Sequence, residues 1–392
     1  MGRLGHSDLS YHGYDNKKWR FDGDSVLGLQ LSGSLTDRLT ITTQVVSRSY
    51  NHLHRNAFDP ELDWLFLAYQ IDSNWRLRLG RMRTPHYLYS ETVDVGYSYI
   101  WARPPMDVYS IILSPFHSFD GIDVGYLTNL EDTAIDVQLF AGRIRRQNNE
   151  LNIKVEPMIG GNLRLDINDF TLRYGLVFNR TNVSMDYEFL FASLGGSQNY
   201  SELYDAALNA AIALDPSFQT IKDGFSAHQA MYRYQALGGI WRGPYVTLSS
   251  ELFHIKNTDS GYTNNSHGWY LSAHGEVGPF TPYLVKGYFN NDLNTDAVDV
   301  IETSFQQVPL GQPGLETFDQ FRLITYYPLK LSNYGQSTWT LGVRYDAFKN
   351  VALKAEWQRI DFAAGGSGQI TQKTLNPGSH TTLTTFVIDV VF

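Results

Sequence analysis

Apolar and polar residues alternate one by one along most of this chain, in paired runs separated by short turns. Near the N-terminus, Leu27, Leu29 and Leu31 share one face of an extended segment, and Gln30 points the other way. A turn at residues 36–37 leads into a second run with the same alternation. A period of two on both sides of a short turn predicts a β-hairpin.

The same unit recurs along the whole chain, and the connections between units are of two kinds. Tight turns are expected at 36–37, 73–74, 130–132, 168–169, 242–243, 278–279 and 349–350. Long polar segments alternate with them at 50–60, 85–118, 145–155, 181–228, 257–266, 291–337 and 361–379. Short turns at one end and long loops at the other are typical of outer-membrane β-barrels, which keep the turns on the periplasmic side.

Adding an N-terminal strand at 4–12 and a closing strand at 382–392 gives about sixteen antiparallel strands in one domain, residues 1–392. In hydrocarbon every backbone amide and carbonyl must be bonded internally, so such strands persist only in a closed cylinder. The fold class predicted is therefore an all-β transmembrane barrel with short periplasmic turns and long extracellular loops. Its even strand count predicts that both termini are periplasmic.

Two segments inside the long loops have their own patterns. Residues 318–331 look strand-like, but the pairing of hairpins requires them to belong to the loop 291–337. Within the long loop 181–228, Leu203, Ala207 and Leu214 are spaced for one face of a short helix.

Composition excludes several classes of protein. The chain has no cysteine, which excludes disulfide frameworks and thiolate sites, and its net charge of −9 argues against a nucleic-acid partner. No run approaches the roughly 18 apolar residues of a membrane-spanning helix. The first residues lack the pattern of a secretory signal, so an exported barrel is expected to have lost one.

The polar face of the predicted strands carries many charges, which cost several kcal/mol each if buried unpaired and are therefore expected to meet water. Barrels of about sixteen strands are wide enough for an aqueous channel. A soluble propeller or sandwich with one wet face stays open as an alternative. The inward set comprises Gln30, Arg76, Arg78, Asp123, Asp136, Arg164, Arg173, Arg233, Glu251, Glu276, Arg344, Lys354 and Glu356.

The chain ends in alternating apolar residues with a terminal aromatic. Phe386, Ile388, Val390 and Phe392 fall on one face of the last predicted strand. This resembles the C-terminal signature of outer-membrane barrels. The resemblance implies an assembly signal that the barrel assembly machinery reads.

Several longer motifs are similar to the Gram-negative porin superfamily, especially porins of marine gammaproteobacteria. The early motifs read WRLRLGRMRTP (75–85), DVGY (94–97), YIWARPP (99–105) and FDGID (119–123). A late hairpin reads LGVRYD (341–346) and NVALKAEW (350–357). The resemblance implies a homotrimer of general diffusion pores in the outer membrane, in contact with lipid and lipopolysaccharide, through which ions and small polar solutes diffuse.

In that superfamily the third extracellular loop folds into the lumen and narrows it, and by position this loop is 85–118. The resemblance implies that the acidic and basic residues of this loop face arginines of neighbouring strands, since a charged constriction sorts solutes by size and charge. The expected pore-lining residues are Arg48, Arg76, Arg78, Glu91, Asp94, Arg103, Asp107, Asp123, Asp136, Arg164, Arg173 and Arg344.

Other functions leave weaker signals. Ser250 and His254 share a strand face but lie about 13 Å apart at roughly 3.3 Å per residue, too far for a catalytic pair. His52 and His54 are too few for a metal site, and no cofactor is expected. A solute-selective channel that favours anions stays open as an alternative, and a barrel enzyme or an adhesin is more remote.

Overall fold

The computed structural model describes eleven stretches of the chain: residues 1–7, 18–49, 58–113, 117–147, 151–185, 200–221, 227–257, 265–292, 295–331, 335–363 and 380–392. Sixteen strands form one sheet in which every pair is antiparallel and sequence neighbours lie side by side. The strands are β1 Gly2–Ser7, β2 Val26–Ser34, β3 Leu39–Arg48, β4 Pro60–Gln70, β5 Trp75–Arg83, β6 Ser118–Leu130, β7 Thr133–Gln147, β8 Leu151–Ile167, β9 Phe170–Met185, β10 Ala227–Arg242, β11 Thr247–Asn257, β12 Ser266–His274, β13 Phe280–Asn291, β14 Gln336–Phe348, β15 Val351–Phe362 and β16 His380–Val390.

The sheet curls into a nearly closed barrel, which confirms the predicted fold class and strand number. β1 pairs with β16 along its length. At its other edge, β1 meets the start of β2 through paired backbone hydrogen bonds between Met1 and Val26 at 3.0 and 3.1 Å, and Gly5 bridges to Arg20. The predicted first strand, 4–12, is described only as far as residue 7.

The connections at one end of the barrel are short, and we call this the short-turn end. Each of its seven turns spans two to five residues. Asn168 and Asn350 adopt positive φ angles of 49° and 67° in two of them, a conformation that asparagine tolerates better than most residues. At the opposite, long-loop end, one expectation is wrong: 145–155 is mostly strand, because β7 and β8 extend to residues 147 and 151.

The outward face of the barrel is apolar, as the alternation predicted. Leu139, Ile159 and Leu341 are each more than half exposed there. β10 and β13 are exceptions: the alternation in their sequences groups Tyr234 and Tyr283 with the apolar residues and so predicts that they face outward, but they are 3% and 2% exposed on the inner side.

Two charged residues that were predicted to face inward, Arg233 and Glu276, lie elsewhere. Arg233 shares the outward face of β10 with Met231 and Leu237, which are 44% and 48% exposed. Glu276 is exposed in the turn between β12 and β13 rather than in a strand. The reason for the reversal in β10 is that its inner face also carries large side chains, which pack inside the barrel.

In the long connections, the described residues include four α-helices: α1 Met106–Leu113, α2 Tyr200–Leu214, α3 Thr295–Gln307 and α4 Glu316–Leu331. α2 confirms the predicted loop helix, whereas the strand-like segment 318–331 belongs to a helix. Helices α2 to α4 share a small core that includes Leu208, Ile301 and Phe321. None of the described helices is long and apolar enough to cross a membrane.

Candidate functional site

The connection from β5 to β6, described at residues 84–113 and 117, turns into the barrel, and we call it the inner loop. Charged and polar side chains hold it to the wall near both ends. Arg83 at the end of β5 contacts Asp63 of β4 at 2.6 Å, and His117 reaches the same carboxylate at 3.0 Å. Arg48 of β3 donates to both oxygens of Asp94 at 3.1 and 2.7 Å. Burial alone would raise the pKa of Asp94, but the guanidinium groups of Arg48 and Arg83 outweigh it and hold that pKa below its usual range.

The inner loop also contacts the wall formed by β9 to β16. We call the inward residues of this wall the seat. Arg173 of β9 donates to the backbone carbonyls of Pro85 and His86, the latter at 2.7 Å. Burial, together with the charge of Arg173, lowers the pKa of His86 to about 3, so its imidazole stays neutral. The ring of His86 packs edge-on against Tyr234 at 4.7 Å.

A buried carboxylate of β11 forms the next contact. Glu251 is 1% exposed and accepts a hydrogen bond from the backbone amide of Leu88 at 2.8 Å. The hydroxyls of Tyr270, at 2.9 Å, and Tyr109 donate to its other oxygen. Three donors, two from the inner loop and one from β12, therefore satisfy this carboxylate without a solute.

A buried ammonium group of β15 holds the middle of the inner loop. Lys354 donates to the carbonyls of Gly96, Tyr99 and Trp101 at 2.7, 2.8 and 2.7 Å. Asp389 of β16 lies 2.9 Å from the same nitrogen. Carbonyl oxygens from three positions converge on one cation, so this stretch of loop has a single defined path.

Arg103 is anchored on the same wall. Its guanidinium donates to Asp24 at 2.9 Å, to Gln358 at 3.1 Å and to Thr385 at 3.0 Å. Beside it, Glu356 accepts from the backbone amide of Ala102 at 3.0 Å. These contacts fasten the segment before α1.

Asp107, at the start of α1, is a further inner-loop residue that binds the seat. It accepts hydrogen bonds from Gln336 at 3.0 Å and Thr338 at 2.9 Å. Gly268 and Gly287 leave the space that Asp107 occupies, since a Cβ at either would overlap its atoms. Burial raises the pKa of Asp107 to about 6, although the two hydrogen bonds oppose the shift.

The opposite edge of the inner loop is open to solvent. The side chain of Glu91 is 57% exposed, and its carboxylate lies 3.4 Å from the guanidinium of Arg78 in β5. Arg78 is bound more firmly by Asp123 of β6, with contacts of 2.5 to 3.0 Å. Glu91 therefore reaches towards the wall of β5 and β6 without being buried there.

More charges line the open side next to Glu91. Asp136 of β7 lies within electrostatic reach of Arg76, Glu91 and Arg164. Arg164 is 42% exposed and pairs with Asp166 at 2.8 Å. The open side thus brings acidic and basic groups from the loop and three strands around one partly exposed space.

Two residues of this side, Tyr89 and Arg242, are not predicted from the sequence. Tyr89 of the inner loop lies within electrostatic reach of Arg164 and Arg242. Arg242 donates to Thr171 at 3.1 Å from the last position of β10. It was interpreted as a turn residue, and only its cross-strand register with β9 would have indicated an inward side chain.

The structure divides the predicted pore-lining residues into groups. Arg76, Arg78, Glu91, Asp123, Asp136 and Arg164 come together on the open side. Arg48 of β3 pairs with Asp94 of the inner loop. Arg173 belongs to the seat, and Arg103 and Asp107 of the inner loop are buried against it. Arg344 of β14 donates to the carbonyl of Tyr97 at 2.8 Å and pairs with Asp346.

Two expectations are thereby corrected. Arg103 and Asp107 do not face the arginines of β5 and β8, because each is buried against the seat. The inward charges Glu251, Lys354 and Glu356 do not meet water, because the inner loop covers them with hydrogen-bonding partners.

Other predicted features fall as follows. Phe386, Ile388 and Val390 are 45–48% exposed on the outward face of β16, and Phe392 follows the strand. His52 and His54 lie outside the described residues. In the part of the chain that the structure describes, no group of three or more histidine, aspartate or glutamate residues is arranged to hold a metal.

No protein-family model and no curated protein sequence matches this chain. Solved structures do match it over almost their whole length. The outer-membrane channel DcaP of Acinetobacter baumannii is 10% identical, with 99% of this chain and 94% of that chain covered and a TM-score of 0.56. Salmonella typhi OmpF, in complex with daunomycin, is 9% identical, with coverage of 99% and 96% and a TM-score of 0.56.

An anion-selective porin from Comamonas acidovorans is 12% identical, with 100% of this chain and 97% of that chain covered and a TM-score of 0.54. At identities this low the likeness concerns the fold. The chain has the porin fold, a sixteen-stranded antiparallel barrel, as the sequence motifs implied.

Proposed function

We propose that this protein is an outer-membrane porin, a water-filled channel through which ions and small hydrophilic solutes diffuse passively. The observation that carries the proposal is the asymmetry of the inner loop. One edge is fixed to the seat by buried charges such as Lys354, and the other holds the exposed Glu91 beside Arg78 of β5, with Arg76 and the partly exposed Arg164 around the neighbouring Asp136. A loop fixed on one side of a sixteen-stranded barrel narrows a passage on the other side without filling it.

The passage has charges of both signs on facing walls. Arg76, Arg164 and Arg242 line the strands, and Glu91 and Asp136 lie among them. Such an arrangement sorts solutes by size and charge. An anion-preferring channel of the same fold is the second candidate, because Arg76, Arg164 and Arg242 line this side of the wall.

The remaining parts of the proposal concern the setting. We expect the barrel to cross the outer membrane as a homotrimer in contact with lipid and lipopolysaccharide, with its long loops extracellular and both termini periplasmic. In this setting residues 85–118 act as the constriction loop within a single barrel domain. Phe386, Ile388, Val390 and Phe392 serve as the signal for the barrel assembly machinery.

A barrel enzyme is disfavoured because the best candidate nucleophile is already engaged. The Ser250 hydroxyl donates to the backbone carbonyl of Tyr270 at 2.6 Å. His254 lies opposite His267 in the neighbouring strand. An adhesin would need only the loops, so it would function with the passage blocked.

Swelling of proteoliposomes in solutions of uncharged sugars tests passive diffusion directly. We expect fast swelling in monosaccharides and progressively slower swelling as the sugar grows. Liposomes with heat-denatured protein serve as the control. Folded protein that gives no swelling in any sugar contradicts the proposal, and saturable uptake of a single sugar points to a specific channel.

A further inference from the structure

The inner surface of the barrel changes in character between β4 and β5. β2 contains no charged residue, nor does β3 before Arg48 or β4 after Asp63. From β5 onwards, by contrast, Arg76, Asp136 and Arg164 lie around one space, and we call these three residues the charged wall. β4 and β5 are neighbours in the sheet. The passage is therefore bordered by an uncharged surface and a charged one, side by side.

Four polar side chains of β2 and β3 form the uncharged surface, and we call them the neutral wall: Gln30, Ser32, Thr42 and Gln44. Gln30 lies opposite Gln44 in the register of the two strands, and Ser32 lies opposite Thr42. The two residues of β3 alternate with outward residues such as Val45, which is 37% exposed, so they face inward. Their partners on β2 face inward with them.

Hydrogen bonds within the neutral wall orient its front residues. Gln44 donates from its amide nitrogen to the amide oxygen of Gln30 at 3.1 Å, and the hydroxyls of Ser32 and Thr42 are 3.0 Å apart. Gln44 and Thr42 are only 6% and 8% exposed, whereas Gln30 and Ser32 are exposed. β3 therefore holds the front residues in place, and the amide nitrogen of Gln30 can donate to a solute.

The two walls suit different solutes. A hydroxyl group of a sugar both donates and accepts hydrogen bonds, and the amides and hydroxyls of the neutral wall do the same. An arginine can only donate, and a carboxylate can only accept. Charged groups also cost more to strip of water than amides and hydroxyls do. An uncharged solute therefore exchanges its water for protein contacts more readily on the neutral wall.

We propose that uncharged hydroxylated solutes, such as sugars and polyols, pass along the neutral wall, where Gln30 and Ser32 contact them. Ions pass along the charged wall, where Arg76 and Asp136 provide opposite charges. This inference rests on the proposed function, because it divides one passage between two classes of solute. Transport of the two classes should then respond to different substitutions.

Two variants measured in two assays test this division. In Gln30→Leu with Ser32→Ala, we expect the initial swelling rate of proteoliposomes in a disaccharide to fall about threefold, the size expected for one weak neutral hydrogen bond. The reversal potential under a salt gradient should stay unchanged. Arg76→Gln should shift the reversal potential and leave the swelling rate unchanged. A heat-modifiable gel shift verifies folding, and Ser32→Ala alone, with a loss below about twofold, replaces a double variant that does not fold.

The possible outcomes separate this inference from the proposed function. Equal swelling rates for wild type and the variant of the neutral wall would overturn the division. A shift of that variant's reversal potential as large as in Arg76→Gln would overturn it too, as would an equal fall in swelling rate for both variants. Folded wild-type protein that gives no swelling in any sugar would instead contradict the proposed function itself.

Discussion

The two sides of the inner loop carry similar charges in opposite surroundings. On the seat side, Lys354 and Glu251 are 3% and 1% exposed, and each has at least two hydrogen-bonding partners from the inner loop. On the open side, Glu91 and Arg164 have side chains 57% and 42% exposed. Burial, and not residue type, therefore distinguishes the charges that hold the inner loop in place from those that a solute can contact.

The seat also explains how a loop can stay inside a water-filled barrel. A loop ordinarily leaves polar backbone groups to water, but here Lys354, Arg173 and Arg344 donate to its carbonyls. Hydrogen bonds to charged groups contribute about 1.5–3 kcal/mol each, more than neutral ones. The seat therefore holds the loop rigidly enough to define the passage on the other side.

The largest expected effect follows from removing the central cation of the seat. Lys354→Met leaves Asp389, which is 1% exposed, buried without its partner. We expect a loss of about 3–5 kcal/mol, as for breaking a buried ion pair. The heat-modifiable transition should move to lower temperature, and single-channel currents should become noisier as the loop detaches.

Arg359→Met is the control for Lys354→Met, because it removes an exposed ion pair that contributes less than about 1 kcal/mol. Equal transition temperatures for the two variants would show that Lys354 does not hold the loop.

A steric change of the seat should have a smaller effect. Gly287→Ala places a methyl group where the Asp107 carboxylate lies, so α1 must shift. We expect a loss of about 1–3 kcal/mol from overpacking. The matched control is Gly125→Ala in β6, whose nearest neighbour is Arg76 at 3.8 Å. Equal unfolding temperatures for Gly287→Ala and Gly125→Ala would show that the space beside Gly287 is not needed for Asp107.

Asp107 should make the seat sensitive to pH. Its pKa is about 6 in the folded protein and near 4 in an unfolded chain, so the folded state binds the proton more tightly. The contribution of Asp107 to the free energy of unfolding is therefore greatest below about pH 4. It decreases as the pH rises from there and is lost above about pH 6. Asp107→Asn should be neutral at pH 4.5 and stabilising by on the order of 2 kcal/mol at pH 7.

The transition temperatures of wild type and Asp107→Asn at both pH values check this sign. A variant that is destabilised more at pH 7 than at pH 4.5 would mean that the ionised carboxylate strengthens the seat instead.

The smallest effect on stability, below about 1 kcal/mol, is expected on the open side. Glu91→Gln removes an exposed charge while Arg78 keeps Asp123 as its partner. The ratio of anion to cation permeability should rise roughly twofold, because the passage loses an acid beside its arginines. Reversal potentials under a salt gradient measure it, and an unchanged ratio would place Glu91 outside the path of ions.

The sequence predicts the barrel well because alternation and turn residues are local signals. Asn168 and Asn350 mark turns by their own conformational preference. Alternation does not say which face is outward when both are apolar, and for this reason Tyr234 and Tyr283 were assigned to the wrong side.

The inner loop is less predictable, since its path depends on contacts far along the chain. Arg103 bonds to residues 255 and 282 positions away, and no local pattern identifies those partners. In α4, by contrast, a signal was present: Phe318, Phe321 and Thr325 have the three- and four-residue spacing of a helix.

The central claim is an open passage between the inner loop and the arginines of β5 and β8. Single-channel recording in a planar bilayer under a salt gradient tests it most directly, with wild type, Arg76→Gln and the outer-wall control Arg359→Gln. We predict large ohmic steps for all three proteins, with ion preference shifted towards cations only in Arg76→Gln. Folded, inserted protein without conductance, or identical selectivity in the two variants, would contradict the account.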